Sequence, residues 1–577
     1  MQDLRLIFRY GRPYHRDLIA AVALIVVECG FEMVIPTLMA TLIDEGVPAR
    51  DMGIILQQGG LMALCAVLAL VTGLLYARFA ARYANGFAAE LRKAEYAAVE
   101  KFDFANLDHF SGASLVTRMT TDATVLLNAV NTGLRPLVRS PVMLCMGLCM
   151  AFVLSPQLTV VFLVAAPILA LMLGWIVSRV APLYGRQQRA VDHLNGRIQE
   201  ALTGIRAIKA FVRGEWENEQ FGAVNGELCD ASTETFRHAV LNTPSFQAVM
   251  YAAILCIMWF GGTFILDGSM QVGQLTGFLS YVLQVLNSVM MFSGVFLQMT
   301  RSLASARRIR EVLTEQPDLA DAAHPVAEVP GGAIDFENVS FKYNPQAKKN
   351  ALSDITLHIP AGATVGVIGG TGSAKTTLVQ LIPRLYDATE GTVRVGGRDV
   401  RDYDLTALRD AVGIVLQKNL LFSGTIRDNL KWGKPDATDG ELWAACRAAH
   451  AEEFLRRMPD GLDTDLGQGG VNVSGGQKQR LCIARTLLKQ PKVLIFDDST
   501  SAVDTATESG IRRALAELDG VTKIIIAQRI SSVQSADMIV ILDDGRLHAV
   551  GTHDELLARD SIYQEIYYSQ MKGGGVS

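Results

Sequence analysis

Gly369-Gly370-Thr371-Gly372-Ser373-Ala374-Lys375-Thr376-Thr377 concentrates the residue types that hold phosphate. It follows Thr364-Val365-Gly366-Val367-Ile368, an apolar run that reads as a buried strand, and it leads into a helix through Leu381. That order is the strand, glycine-rich turn and helix of a P-loop. Backbone N–H groups at the helix start would cradle phosphate oxygens, Lys375 would reach the terminal ones, and Thr376 would meet Mg2+. A second apolar run, Val493 to Phe496, ends in Asp497, whose carboxylate would stand beside that metal. Between the two runs, Val473-Ser474-Gly475-Gly476-Gln477-Lys478-Gln479-Arg480 precedes a helix, and its serine and two glycines offer exposed amides to another phosphate. Two phosphate sites so far apart in sequence make sense if one of them serves a nucleotide held by a partner.

These motifs need a sheet to position them. Ile334-Asp335-Phe336 opens a strand, and Val339 to Tyr343 continues the alternation of a half-buried ribbon. Before it, from Glu315 to Gly332, the composition turns to Pro, Ala, Asp and Gly without periodicity, which marks a linker. The expected organisation is therefore residues 1–314, a linker over 315–332, and a phosphate-binding domain over 333–577. With 577 residues, two or more cores are required.

The first domain reads as membrane-spanning. Half of the residues are hydrophobic and 19% are charged, and crossing a bilayer takes about 20 mostly apolar residues at about 1.5 Å each. Six runs qualify: Leu18 to Ile43, Ile54 to Ala80, Leu137 to Leu154, Leu158 to Val177 after the break at Ser155-Pro156-Gln157, Val240 to Leu266, and Leu275 to Met299. Arg5, Arg9, Arg12 and Arg16 precede the first span, whereas the loops before the second, fourth and sixth lack a Lys/Arg cluster, so the N-terminus is expected on the cytoplasmic side. The segments between spans two and three and between four and five are rich in charge and periodic, which predicts long helices continuing into the cytoplasm.

Glu28 and Glu32 sit four residues apart on one face of the first span. Facing lipid while charged, each would cost a few kcal/mol, so both should turn toward a cavity or a neighbouring helix. Two readings stay open: packing or solubility beside a water-filled vestibule, and contact with a transported substrate. Pro36 is expected to kink the same helix. The eight cysteines form no paired metal-ligand spacing and read as small buried hydrophobes. A net charge of -5 supplies no basic footprint for nucleic acid.

With the Ser474-Gly475-Gly476-Gln477 signature between the P-loop and the Asp497 strand, and six spans ahead of it, the chain resembles an exporter-type half-transporter of the ATP-binding cassette (ABC) family over nearly its whole length. The resemblance implies a multidomain membrane protein: an all-α six-helix transmembrane domain plus an α/β P-loop ABC ATPase domain. It implies ATP and Mg2+ as ligands, Tyr343 stacking on adenine, and Gln417 touching Mg2+ and sensing the γ-phosphate. Ser501-Ala502-Val503-Asp504 would be the loop that crosses to the opposite subunit. Two cassettes would sandwich ATP, each between one P-loop and the other's signature. Ser114 to Arg118 and Gly204 to Lys209 would be the coupling regions.

The chain departs from that family at the reacting phosphate. Where the family has Glu as the base for the attacking water there is Asp498, and where it has His there is Gln528. The shorter carboxylate falls back by about 1 Å, a displacement able to cost about a hundredfold in rate. A glutamine amide carries neither proton nor positive charge near neutral pH. Ala374 replaces a glycine, and Gln468 and Gly469 replace a charged pair before the signature. This pattern resembles the degenerate-site subunit of heterodimeric bacterial multidrug exporters, whose partner would bring intact Glu and His. The expected setting is the inner or plasma membrane, multi-pass, with the ATPase domain cytoplasmic and a small amphipathic substrate. The alternatives are an importer on the same frame (for a metal chelate, for instance), a homodimeric exporter, and an ATP-gated regulatory subunit.

Overall fold

A computed structural model of the protein describes residues 6–498 and 505–573; within these, the side chains of 162, 292–301, 505–506 and 572–573 fall outside the description. The chain divides into two compact units, one of residues up to 100 together with 112–315, the other of 101–111 together with 316 onward.

The first unit is helical throughout. Its long helices are α1 (His15–Thr41), α2 (Met52–Val99), and, beyond the segment 101–111 with its short helix α3 (Phe104–His109) of the second unit, α4 (Ala123–Leu154), α5 (Pro156–Thr203), α6 (Gly214–Ala239), α7 (Asn242–Leu266) and α8 (Val272–Thr314). Among the described residues, five helical stretches are long and apolar enough to cross a membrane: Leu6–Ala49, Met52–Val99, Gly112–Leu154, Pro156–Thr203 and Gly214–Leu266. The sixth expected span falls on α8, which also contains the undescribed side chains 292–301. At 48 residues, α2 and α5 each run about 72 Å, more than twice the hydrocarbon thickness of about 30 Å.

The expected break between spans three and four is present. Ser155 is extended, its Oγ accepts the Leu158 N–H at 3.4 Å, and Pro156 fills the first position of α5, where its missing N–H costs nothing. Asp44 does similar work across helices. Its carboxylate accepts the N–H groups of Gly273 at 2.5 Å and Gln274 at 2.9 Å, satisfying two donors at the start of α8. α1 continues unbroken through Pro36, and α8 packs beside it so closely that a Cβ on Gly277 would lie 2.9 Å from the Pro36 carbonyl oxygen. Tyr281 of α8, fully buried, donates its hydroxyl to the Met33 carbonyl at 2.6 Å.

The second unit is α/β. Strands β1 (Ile334–Phe341), β2 (Leu352–Ile359), β4 (Glu390–Val395) and β5 (Arg398–Asp399) form an antiparallel sheet in the order β2-β1-β4-β5. A six-stranded sheet has the order β10-β9-β3-β8-β7-β6. Its members are β3 (Thr364–Ile368), β6 (Val412–Val415), β7 (Val493–Asp497), β8 (Thr522–Ile526), β9 (Met538–Asp543) and β10 (Arg546–Gly551). From β9 to β6 all neighbours pair in parallel, and these strands read as continuous apolar runs because both faces are covered. Helices α9 (Lys375–Gln380) and α10 (Gly475–Leu488) follow the two glycine-rich motifs.

The segment 101–111, which joins α2 to the rest of the first unit, belongs with the second unit. It forms α3 (Phe104–His109), capped reciprocally by Asp103 and Asn106. Phe104 meets the Tyr386 ring edge-on at 5.9 Å, and Asp108 accepts the Tyr386 hydroxyl at 2.7 Å. Asp103 also accepts the N–H groups of Asp318 at 2.7 Å and Leu319 at 3.0 Å. The first expected coupling region, Ser114–Arg118, does not share this packing. That stretch lies in the transmembrane unit, where Arg118 is buried and donates to the Arg308 carbonyl at 2.6 Å. The second expected region, Gly204 to Lys209, is a short helix, Ile205–Ala210, followed by exposed Phe211 and Val212.

Candidate functional site

β3 delivers the chain into the glycine-rich turn at Gly369. A Cβ there would lie 2.1 Å from the Leu542 carbonyl oxygen, so only glycine lets the turn cross the end of β9. The Lys375 Nζ folds back over the turn, donating to the carbonyls of Gly369 and Gly370 at 2.9 Å each and lying 3.3 Å from Ser373 Oγ. An ammonium held by loop carbonyls stands where phosphate oxygens would replace them as partners.

Asp497 ends β7 on the adjacent side, almost fully buried, and accepts the Thr376 hydroxyl at 2.8 Å. Burial pushes its carboxyl upward, opposed by the Thr376 hydrogen bond; the neighbouring Asp498 adds to the rise and Lys375 counters it. Burial likewise pushes the Lys375 ammonium down, against Asp498 and Asp497. A hydroxyl and a carboxylate converging on one point, next to an ammonium and a turn of backbone amides, suit a hard divalent cation on a polyphosphate. Those residues fit Mg2+ with ATP.

Asp498 follows with a left-handed backbone, φ 48. Its Oδ2 accepts the Gln528 side-chain amide at 2.6 Å, so the two positions that depart from the family pattern are bonded to each other. Ala374 also lies in the left-handed region, φ 67 and ψ 27, the case in which its methyl is penalised. Replacing Ala374 by Gly is expected to stabilise this unit by about 1 kcal/mol, the left-handed penalty less part of the glycine's own entropic cost. The measurement is the urea midpoint of the full chain followed through Trp432 and Trp443; an unchanged midpoint would contradict it.

One cavity of about 760 Å³ gathers Gly370, Thr371, Gly372, Ser373, Ala374, Lys375, Thr376 and Thr377 with Tyr343, Gln417, Asp497, Asp498 and Gln528. Tyr343 lies just beyond β1, its hydroxyl 2.9 Å from Thr377 Oγ1, and burial raises its phenol. Ser474, Gly475, Gly476 and Gln477 do not line this cavity among the described residues. They open α10, where Ser474 and Gln477 cap each other: the Ser474 N–H donates to Gln477 Oε1 at 2.9 Å. Asp504, with Ser501 to Val503, lies outside the described residues.

The cavity also contains Lys349, Asn350, Asp544, Gly545 and Ile566, which sequence reasoning missed. Asp544 and Gly545 were findable: both have left-handed φ between two apolar strands, the hairpin signature of an Asp-Gly pair. Lys349 donates to Asp544 at 2.6 Å across the rim.

In the other unit, Glu28 and Glu32 face a neighbouring helix. Glu28 Oε1 accepts from Arg135 at 2.5 Å and Arg139 at 3.2 Å, and Arg139 also reaches Glu32 at 2.5 Å. The two arginines lie on α4, Arg135 just before the apolar run Leu137 to Leu154 and Arg139 inside it, and nothing in their spacing marks them as partners of α1.

Fold and site together define a P-loop ATPase unit joined to a membrane-embedded helical unit. Comparison with known proteins is in accord: residues 18–289 match the family described as ABC transporter transmembrane region, and residues 352–501 match the family described as ABC transporter. The chain is 36% identical over 561 residues, 97% of each chain, to an uncharacterized ABC transporter ATP-binding protein, YfiB, of Bacillus subtilis (strain 168). It is 30% identical to a putative multidrug export ATP-binding/permease protein, YgaD, of the same organism, over 97% of this chain and 98% of that one. A solved bacterial Atm1-family ABC exporter with ATP bound superimposes with a TM-score of 0.82 at 25% identity, covering 96% of this chain and 99% of the other. The chain belongs to the ABC transporter family, as a half-transporter of the ATP-driven exporter type.

Proposed function

We propose that this half-transporter pairs with a different subunit and that its own ATP pocket serves chiefly to bind. The observation that carries this reading is the Gln528 to Asp498 hydrogen bond at 2.6 Å. It supports a pocket in which the carboxylate available to a water is short and engaged by an amide that cannot donate a proton and regain it. Lys375 and the turn amides hold the phosphates, while Thr376, Gln417 and Asp497 hold Mg2+. That ion, when bound, neutralises charge on the terminal phosphates. Ser474, Gly475, Gly476, Gln477 and Asp504 serve the partner's nucleotide, and the partner supplies an intact Glu and His.

Closure of the paired ATPase units acts on the transmembrane helices through α3, where Phe104 and Asp108 grip Tyr386. ATP drives this only to the extent that it prefers the closed state. The arginines preceding α1 support an N-terminus and ATPase unit on the cytoplasmic side of the cell membrane. The cargo is a small amphipathic compound, in keeping with the multidrug export named for one relative.

The test is the ATPase rate of the reconstituted pair. Changing the partner's Glu to Gln is expected to abolish turnover, and Asp498→Asn here to alter it less than about threefold. The reverse pattern, or brisk cooperative hydrolysis by this chain alone, would favour a homodimer.

A further inference from the structure

The residues ahead of the first span form a turn docked on α2. Gly11 sits so close to it that a Cβ would lie 2.7 Å from the Tyr83 hydroxyl, and Phe8 stacks on Phe87 at 5.7 Å. Between this turn, α2 and α4 lies a second cavity, of about 380 Å³, within the range of small-molecule sites. Its walls are almost wholly hydrocarbon: Phe8, Leu18, Phe87, Val130, Leu134 and Leu137. Gly133 also lines it, and a Cβ there would meet nothing within 4 Å.

Besides the hydroxyl-bearing Tyr83 and Ser302, the polar side chains sit at and just after the N-terminal turn. Arg12 and His15 line the cavity, and Arg9 and Arg16 lie close in sequence, all four exposed. Among the described residues, none of the three guanidinium groups meets a carboxylate; the nearby Asp17 pairs instead with Arg82 at 3.7 Å. These groups stand where α1 enters the apolar span, which on the orientation proposed above is the cytoplasmic face of the bilayer. Apolar walls ending in guanidinium groups that meet no carboxylate among the described residues, beside an imidazole whose Nδ1 lies 2.7 Å from the Arg12 carbonyl oxygen, match an amphiphile with a hydrocarbon tail and an anionic head. That leaflet is rich in such lipids.

We propose that this cavity is a binding site for an anionic glycerophospholipid, one acyl chain lying against Phe87, Val130 and Leu134 and the phosphate against Arg12 and His15. The site is separate from the ATP pocket and does not depend on which subunit partners the chain. It depends on the orientation only for the leaflet that supplies the lipid.

The test uses the purified full-length transporter, with phosphatidylglycerol and phosphatidylcholine of identical acyl chains as probes and retained lipid counted by native mass spectrometry. Phosphatidylglycerol is expected to bind at least about tenfold more tightly than phosphatidylcholine, since each arginine near a phosphate is worth about fivefold. Arg12→Gln, an exposed position safe for folding, should narrow that preference about fivefold. Gly133→Phe, which fills the open space, should abolish retention of both lipids. Equal binding of the two lipids by the unaltered protein, an unchanged preference in Arg12→Gln, or full retention in a folded Gly133→Phe would each overturn the site. Labelling of Arg16→Cys by a membrane-impermeant maleimide from the outer side would overturn the orientation alone, leaving lipid selectivity in detergent to stand.

Discussion

Converting Asp498 to Glu and Gln528 to His together is expected to raise hydrolysis at this chain's own pocket by about a hundredfold, measured with the partner's base silenced so that only this site can turn over. The magnitude follows from geometry: a carboxylate set back by about 1 Å from its water loses about two powers of ten, and a general base of the right reach contributes about 10²–10⁴. Gln528 holds Asp498 Oδ2 at 2.6 Å, so lengthening the acid without changing the amide should leave the new Glu tethered. Asp498→Glu alone is therefore expected to recover only part of the gain. The left-handed backbone at this position, φ 48, suits Asp better than Glu, which adds a stability loss under about 1 kcal/mol. A double variant within about threefold of the parent rate would remove the proposal that these two residues set the pocket's slowness.

Legibility in the sequence depended on how far apart the interacting residues lie. The P-loop, the Asp497 strand and the signature are local patterns, each a strand or turn feeding a helix, and the structure places the first two around one cavity as local chemistry demands. The Ser155-Pro156 break was legible for the same reason, since a cap and an N1 proline act within one turn. What escaped were contacts fixed by register between distant elements. Phe104 and Asp108 look like ordinary residues of a charged connector until Tyr386, some 280 positions later, is brought against them. Glu28 and Glu32 announced a need for partners, yet nothing local indicated that Arg135 and Arg139 would supply them. The Asp544-Gly545 hairpin was readable as a turn, but its seat beside the phosphate loop follows from β9 pairing with β3.

The same charge network supports the second large effect. Removing Arg139 by Arg139→Ala is expected to destabilise the transmembrane unit by about 2–3 kcal/mol, because Glu32 loses its counter-ion and Glu28 is left with the half-exposed Arg135 alone. Glu32 is the residue at risk: its side chain is 27% exposed and Arg139 is its one charged partner among the described residues, whereas Glu28, 4% exposed with Oε2 unpartnered, keeps Arg135 at 2.5 Å. Arg139 serves both carboxylates and is itself only 20% exposed. Arg135 is 42% exposed, bonds one of the two acids, and lies over the Tyr76 ring at 5.5 Å. Arg135→Ala should therefore cost about 1 kcal/mol, because Arg139 still neutralises Glu28 and water reaches the vacated side. Because Cys145, Cys149, Cys229 and Cys256 are exposed, contrary to the expectation of buried thiols, the readout uses chains in which every cysteine but Cys29 is replaced by Ser or Ala. The buried thiol of Cys29, next to Glu28 in α1, then reports the result. In detergent, its reaction with a fluorogenic maleimide should begin at much lower temperature in Arg139→Ala than in Arg135→Ala. Adding Glu28→Gln and Glu32→Gln to Arg139→Ala should restore most of the loss, since neutral amides leave no uncompensated charge. Equal thermal loss in the two arginine variants, or no rescue by the paired glutamines, would mean that side-chain packing of Arg139, and not its charge, holds α1 to α4.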